Sequence, residues 1–217
     1  MTLVQTSHPI AAGSVDHLHP RGTKNDNSRN DAFNDRLFDL LAPELPQVLD
    51  LGCAGGGFVR SVLDRGGYAI GIEGSDYSQK AARAEWPILG ESLFTADISH
   101  PFFVRSSNRP HPMASFNVVT MWEVLEHLTR DQLELLNLNV HAHLRCGGYF
   151  IASINSAPDF FEGVEYHATV EPPAWWVTFF HDRGWMVRPD LFAHFDPHWV
   201  RGPATDGAAS TPLVLQK

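Results

Sequence analysis

Only two of the 217 residues are cysteine, too few for a disulfide framework. Cys53 and Cys146 each border an expected strand and read as reduced, small core residues of a cytoplasmic protein. Positive charge is scarce as well. Sixteen Lys and Arg stand against 25 Asp and Glu, a net charge of -9. Without a basic run the chain lacks the phosphate-contacting surface that supplies most non-specific nucleic-acid affinity, so nucleic acid is not expected as a partner. Long apolar runs are missing too. No window approaches the ~18 residues of a membrane span, so no membrane partner is expected, and the first thirty residues hold no apolar stretch of the kind a secretory leader needs. There is no internal repeat. What remains is a chain of ordinary hydrophobic fraction, 43%, long enough for one domain with a full core. The sequence does not fix the oligomeric state.

The stretch that organises the rest is Val48-Leu49-Asp50-Leu51-Gly52-Cys53-Ala54-Gly55-Gly56-Gly57-Phe58. It reads as a short buried strand, Gln47–Leu51, that runs into a glycine turn and then a helix over 57–65. Glycine lets the backbone approach a ligand closely, and a helix N-terminus offers unpaired N–H groups. Dinucleotide-binding folds carry G-x-G-x-x-G at this place, with pyrophosphate on the helix start. Here an acid precedes the first glycine, giving D-x-G-x-x-G-G-G. A carboxylate there repels a pyrophosphate and pairs with an ammonium, which favours a ligand with a cationic amino-acid end.

The remaining elements alternate. Residues 1–27 are polar and punctuated by Gly and Pro, an arm or a lid; residues 1–28 are set apart from a domain over 29–217. A helix is expected over 30–41, capped by Ser28 or Asn30 and ended by Pro43. Strands follow at Tyr68–Glu73, 91–96, 116–121, 149–154, 185–191 and 211–216, with helices over 76–86, 131–144 and 174–182. The segments 100–115, 156–173 and 192–209 read as irregular connections or insertions. Strands alternating with helices imply an α/β fold with a Rossmann-like, seven-stranded, mostly parallel sheet, helices on both faces and a C-terminal antiparallel hairpin. Glu73 stands about twenty residues beyond the glycines, where an acid that holds ribose hydroxyls is expected. Asp97 follows the third strand and reads either as a ligand acid or as a plain turn residue. His141 and His143 fall on a helix and are expected at its surface or edge.

Taken together, the glycine motif, Glu73, Asp97, Phe-Asn-Val-Val-Thr-Met-Trp-Glu-Val-Leu-Glu-His-Leu and Gly-Gly-Tyr-Phe-Ile-Ala-Ser resemble the motifs of the class I S-adenosylmethionine-dependent methyltransferases. Ala54 stands where the family has a second glycine, and Asn117 where it usually has Asp. The resemblance implies S-adenosylmethionine as cofactor. Asp50, Gly52, Cys53 and Gly55 would surround its amino-acid end, Glu73 and Gly74 its ribose, Asp97 and Ile98 its adenine, and Trp122 would lie alongside.

The run Glu123-Val124-Leu125-Glu126-His127 resembles a segment of ubiquinone-pathway O-methyltransferases and of small-RNA 2′-O-methyltransferases. The latter implies metal ligation by Glu123, Glu126, His127 and His167, a donor set suited to Mg, Mn or Zn. On a short helix the first three would share a face. The same run occurs in class I enzymes with no known metal, where the histidine packs near the cofactor. His127, His167 and Glu123 are the candidate catalytic residues. Phe160, Phe161, Tyr166, Trp175, Trp176 and Trp199 either wall an acceptor site or pack as core. The expected activity is O-methylation of a small molecule or glycan unit. The alternatives are a non-catalytic cofactor-binding regulator, an RNA 2′-O-methyltransferase and a nicotinamide-dependent reductase; Asp50 and the lack of a Tyr-x-x-x-Lys pair weigh against the last.

Overall fold

The structure is a computed structural model that describes residues 2–106, 115–201 and 210–217. The chain runs β1 (Thr2–Thr6), α1 (Val15–Leu18), α2 (Arg21–Asn25), α3 (Asp31–Leu41), β2 (Gln47–Leu51), α4 (Gly57–Asp64), β3 (Tyr68–Glu73), α5 (Tyr77–Lys80), β4 (Leu93–Thr95) and β5 (Phe102–Ser106). It continues with β6 (Phe116–Trp122), α6 (Arg130–His143), β7 (Leu144–Asn155), β8 (Phe160–Phe161), β9 (Val164–Glu165), α7 (Pro173–His181), β10 (Met186–Val187), α8 (Phe192–Phe195) and β11 (Ser210–Gln216). Single 3-10 turns cover Leu125–His127 and Pro189–Leu191.

Seven strands form one sheet in the order β10-β11-β7-β6-β2-β3-β4. The five strands from β7 to β4 are parallel; β11 is antiparallel to β7, and β10 to β11. Central parallel strands are covered on both faces, so they read as continuous apolar runs. In β6 every residue is buried. Two apolar clusters cover the two faces. One collects Leu133, Leu136 and Val140 of α6 with Trp176 and Phe180 of α7. The other collects Phe33 and Leu37 of α3, Val59 and Val62 of α4, and Phe195 of α8. Chain order reverses at β2, whose neighbours are β3 and β6, and ligands bind at the carboxyl ends beside such a switch point. Asn117 shows why an amide serves at the base of β6: its Oδ1 accepts from Gln47 N at 2.6 Å, and its Nδ2 donates to Leu45 O at 3.0 Å. An ionised Asp has no donor for the second bond.

Local signals placed α3 well. The Asn30 side chain accepts from Phe33 N at 3.0 Å and caps the helix. The helix expected over 76–86 shrinks to Tyr77–Lys80 because tertiary bonds take over the backbone. Ala82 and Ala84 adopt positive φ (46° and 50°), Glu85 N donates to Gly55 O, and Trp86 Nε1 donates to Ala54 O at 2.8 Å. The connection read across 100–115, which lies partly outside the described residues, begins with strand β5. It pairs antiparallel with β1, with Phe102 and Val104 inward and Phe103 outward. The loop read over 192–209, also partly outside the described residues, contains α8. The expected strand over 185–191 is two residues long and passes into a 3-10 turn at Pro189.

Two side chains depart from expectation. His143 is buried: its Nδ1 donates to Asn139 O at 2.8 Å, its Nε2 accepts from Val104 N at 3.2 Å, and burial pushes its pKa down. Those two bonds define a neutral tautomer that ties α6 to β5. Cys53 is buried, but Cys146 is exposed, because it lies in the early, solvent-facing part of β7.

Candidate functional site

A cavity of about 680 Å³ opens at the carboxyl edge of the parallel strands. That is within the range of about 300–1,000 Å³ typical of small-molecule sites. Each strand sends a loop to it. Gly52 and Ala54 come from β2, Glu73 to Ser75 from β3, Asp97 and Ile98 from beyond β4, Trp122 to Thr129 from β6, and Asn155 from β7. The arm closes the other side with Ala11, Asp16, Thr23 and Asp26.

Of the expected cofactor residues, Gly52, Glu73, Gly74, Asp97, Ile98 and Trp122 line this cavity; Asp50, Cys53 and Gly55 do not. Asp50 is 1% exposed and accepts from Thr120 Oγ1 at 2.7 Å, so the strand buries it within the sheet. Burial pushes its pKa up to about 7; the Thr120 bond opposes this, and the charges of Asp26 and Glu73 add to it. Cys53 packs beneath Gly71, with its thiol pushed up by burial. Gly55 meets the chain itself: a Cβ there would lie 2.5 Å from Asn27 Oδ1, and Gly55 N donates to Asp26 O. The loop's lack of side chains therefore admits the arm as well as a ligand. Gly52 has φ of +82°, and an added Cβ would run into Val124.

Glu73 is held firmly. Its Oε2 accepts from Ala54 N at 2.7 Å, and its Oε1 accepts from Ser75 N at 3.1 Å and Thr23 Oγ1 at 3.3 Å. Burial pushes its pKa up despite these bonds. Thr23 thus brings a hydroxyl of the arm onto the Glu73 carboxylate. Asp97 forms an Asx turn, accepting from Ser99 N and Oγ at its Oδ1, while its Oδ2 lies 3.0 Å from His100 Nδ1. It thus makes a turn and faces the cavity at once.

Farther along, three of the four residues implied as metal ligands converge. One ligand atom each from Glu126, His127 and His167 lies within 4.8 Å of the other two. Glu123 stands apart: it is not on a helix but leaves β6 with φ of +56°, and its Oε1 accepts from Ser210 Oγ at 2.9 Å. The helical turn begins only at Leu125, so the expected shared face of 123, 126 and 127 does not form. Glu126 is 0% exposed. Its Oε1 accepts from Asn155 N at 2.9 Å, and its Oε2 has no partner among the described residues. Burial pushes its pKa up. His127 Nδ1 lies 2.9 Å from Asp16 Oδ2, a charge contact rather than a well-directed hydrogen bond. Burial alone would lower the His127 pKa; the Asp16 carboxylate outweighs it, and the shift is upward. His167 Nδ1 donates to Ala157 O, which leaves its Nε2 lone pair for the cavity side, and burial pushes its pKa down. The trio's carboxylate and two imidazoles suit a divalent ion of the Mg, Mn or Zn kind.

Of the aromatics, Tyr166 lines the cavity, Trp176 and Trp199 are buried in the clusters, and Phe160 and Phe161 are exposed on the β8–β9 hairpin. Sequence reasoning missed Asp16, Thr23, Asp26 and Arg201. Nothing in their local pattern sets them apart from loop polar residues; the arm's docking brings the first three to the site, and the segment after α8 brings Arg201.

The family model described as Methyltransferase domain matches residues 24–194. No curated protein matches the chain in sequence. Among solved structures, an S-adenosylmethionine-dependent methyltransferase from Clostridium acetobutylicum aligns with TM-score 0.59 at 12% identity, covering 92% of this chain and 96% of its own. The PH0226 protein of Pyrococcus horikoshii gives 0.56 at 16% identity over 96% and 94%. A methyltransferase from Mesorhizobium loti gives 0.54 at 15% identity over 90% and 100%. At these identities the structures speak for the fold, and the domain match speaks for the family. With the glycine turn and Glu73 at the carboxyl edge of a β10-β11-β7-β6-β2-β3-β4 sheet, the chain belongs to the class I S-adenosylmethionine-dependent methyltransferases.

Proposed function

We propose that the chain methylates an oxygen of a small molecule or a sugar. The observation that carries this reading is His167, whose Nδ1 is tied to Ala157 O so that Nε2 is the ring's proton acceptor. When bound, S-adenosylmethionine supplies a sulfonium methyl whose leaving group needs no proton. The demand on the protein therefore falls on the nucleophile. A hydroxyl must lose its proton, and His167 Nε2 takes it. The Oε2 of Glu126, which has no partner among the described residues, accepts a hydrogen bond from a neighbouring acceptor hydroxyl. His127, held by Asp16, and Glu123, anchored on Ser210, orient the acceptor. Glu73 holds the ribose hydroxyls once Thr23 yields its place, and Asp97 and Ile98 hold the adenine. Residues 1–28 act as the lid of a domain over 29–217. No helix among the described residues is long and apolar enough to cross a membrane. A cytoplasmic location belongs to this proposal and rests on the low cysteine content.

The test is turnover against a panel of phenols, catechols and monosaccharides, with amines for comparison. His167→Ala should lower kcat by roughly 10²–10⁴-fold, the range of general-base catalysis, while S-adenosylhomocysteine binding is kept. Turnover that survives this substitution refutes the base. Binding without turnover of any acceptor favours a non-catalytic regulator.

The convergence of Glu126, His127 and His167 favours one second reading, in which the three hold a divalent ion that lowers the acceptor hydroxyl's pKa. His127 must then give up the proton that Asp16 stabilises. Loss of activity on chelation, restored by added metal, supports the ion; indifference to both removes it.

A further inference from the structure

Glu126 follows β6 and His167 follows β9, yet one short segment holds both. Asn155 is the last residue of β7 and lines the cavity. Its backbone N donates to Glu126 Oε1 at 2.9 Å. Its side-chain Oδ1 accepts from Ala157 N at 3.0 Å, which closes an Asx turn as the chain leaves the strand. The turn aims the Ala157 carbonyl at His167 Nδ1. A carbonyl oxygen only accepts, so that bond puts the ring hydrogen on Nδ1 and the lone pair on Nε2.

Beyond His167 the chain returns to Glu126. Thr169 N donates to Glu126 O at 2.9 Å, and Thr169 Oγ1 donates to Leu128 O at 2.6 Å. Tyr166 N donates to Asp159 O at 2.9 Å, which fixes the segment before the histidine. The bonds close a circuit through the Glu126 carboxylate, Asn155, Ala157, His167, Thr169 and the Glu126 backbone. Ala157 takes part through main-chain atoms alone. Between the carboxylate and the imidazole, Asn155 is therefore the one side chain that a substitution can remove. Burial holds the His167 pKa down, so the ring is neutral and its tautomer decides which nitrogen can take a proton.

We propose that Asn155 is a positioning residue for methyl transfer: its amide oxygen sets the turn whose carbonyl fixes the His167 tautomer, while its main-chain N–H holds Glu126. One residue thereby couples the two groups that the proposed function sets on the acceptor. The residue type follows from the geometry. An Asx turn needs a side-chain acceptor two residues before the N–H it binds. Asn supplies that acceptor without charge, whereas Asp would set a like charge beside the buried Glu126 carboxylate. The inference rests on the His167 reading of the proposed function and makes no use of the cofactor residues.

Nitrogen–proton correlation spectra of protein labelled with 15N-histidine read which ring nitrogen carries the hydrogen, and they need no acceptor. His167→Ala assigns the resonance. In the wild type His167 should carry its hydrogen on Nδ1. Asn155→Ala should move that signature toward a mixture of the two tautomers. It should also lower kcat about three- to tenfold, the effect of one neutral hydrogen bond, with KM for S-adenosylmethionine within about twofold. Asn155→Ser, which closes the same turn more weakly, should recover part of both losses. Should the alanine variant not fold, the serine variant carries the same comparison. A pure Nδ1–H tautomer in Asn155→Ala overturns the proposal even if Tm drops, because the residue then serves only the end of β7. A wild-type His167 with its hydrogen on Nε2 overturns it as well. A shifted tautomer with undiminished turnover upholds the positioning and strikes instead at His167 as the base, which tells the failures of the two readings apart.

Discussion

Asp50 offers a stability experiment whose sign follows from its burial. It is 1% exposed, and its one side-chain partner among the described residues is Thr120 Oγ1 at 2.7 Å. Burial, partly offset by that bond and reinforced by Asp26 and Glu73, raises its pKa from 3.8 to about 7. The difference is about 7 minus 3.8, or roughly 3 units, and each unit is worth about 1.4 kcal/mol. The unfolded chain therefore releases this proton first. No penalty exists below about pH 4, it grows as pH rises through 7, and it reaches at most ~4 kcal/mol at pH 8. Between pH 5 and pH 8 the wild type should lose roughly 2–3 kcal/mol relative to Asp50→Asn. Asn keeps an oxygen for Thr120 and carries no charge, though its amide must find an acceptor, at a cost of about 1–3 kcal/mol if it fails. Urea unfolding of both proteins at several pH values reads the difference directly. Glu73 and Glu126 are also raised by burial and slope the wild-type curve the same way, so the wild-type-minus-variant difference reads Asp50 together with its charge coupling to Asp26 and Glu73. A difference that stays constant from pH 5 to pH 8 would refute the reasoning.

Two further substitutions probe how the site is held. Gly57 opens α4, where alanine would ordinarily gain up to about 1 kcal/mol of helix propensity. Its new Cβ would lie 2.5 Å from the Asn27 backbone oxygen, so Gly57→Ala should instead destabilise by ~1–3 kcal/mol and speed proteolysis of the arm; a raised Tm would contradict this. Phe33 is fully buried and stacks on Phe195 with centroids 4.7 Å apart, so Phe33→Ala should cost ~3–5 kcal/mol in urea unfolding. Phe160→Ala on the exposed hairpin should stay within about 0.5 kcal/mol, and similar losses at the two positions would count against the packing argument.

Much of the architecture was legible because it is written in short-range pattern. The apolar run of β2, the glycines after it, the Asn30 cap of α3 and the apolar spacing of α6 each report a local preference, and each stands where the pattern puts it. The order of strand and helix then fixed a mostly parallel sheet, and with it the edge at which Gly52, Glu73, Asp97 and Trp122 meet. Tertiary structure decided the rest. β1 pairs with β5 about a hundred residues on, and Arg201 meets Asp26 from near the other end of the chain; nothing in the local sequence of either partner names the other. Asp50 sits at a strand position that alternation leaves open to either a ligand or the sheet, and the depth of the strand end buried it. The Glu-x-x-Glu-His run was read with a helical period, but the chain leaves β6 through a left-handed residue first, which moves Glu123 to Ser210 and brings His127 and His167 together. Residue type and spacing set which chemistry the chain carries. Which of those groups share a cavity depended on where an arm with no strong periodicity of its own came to rest.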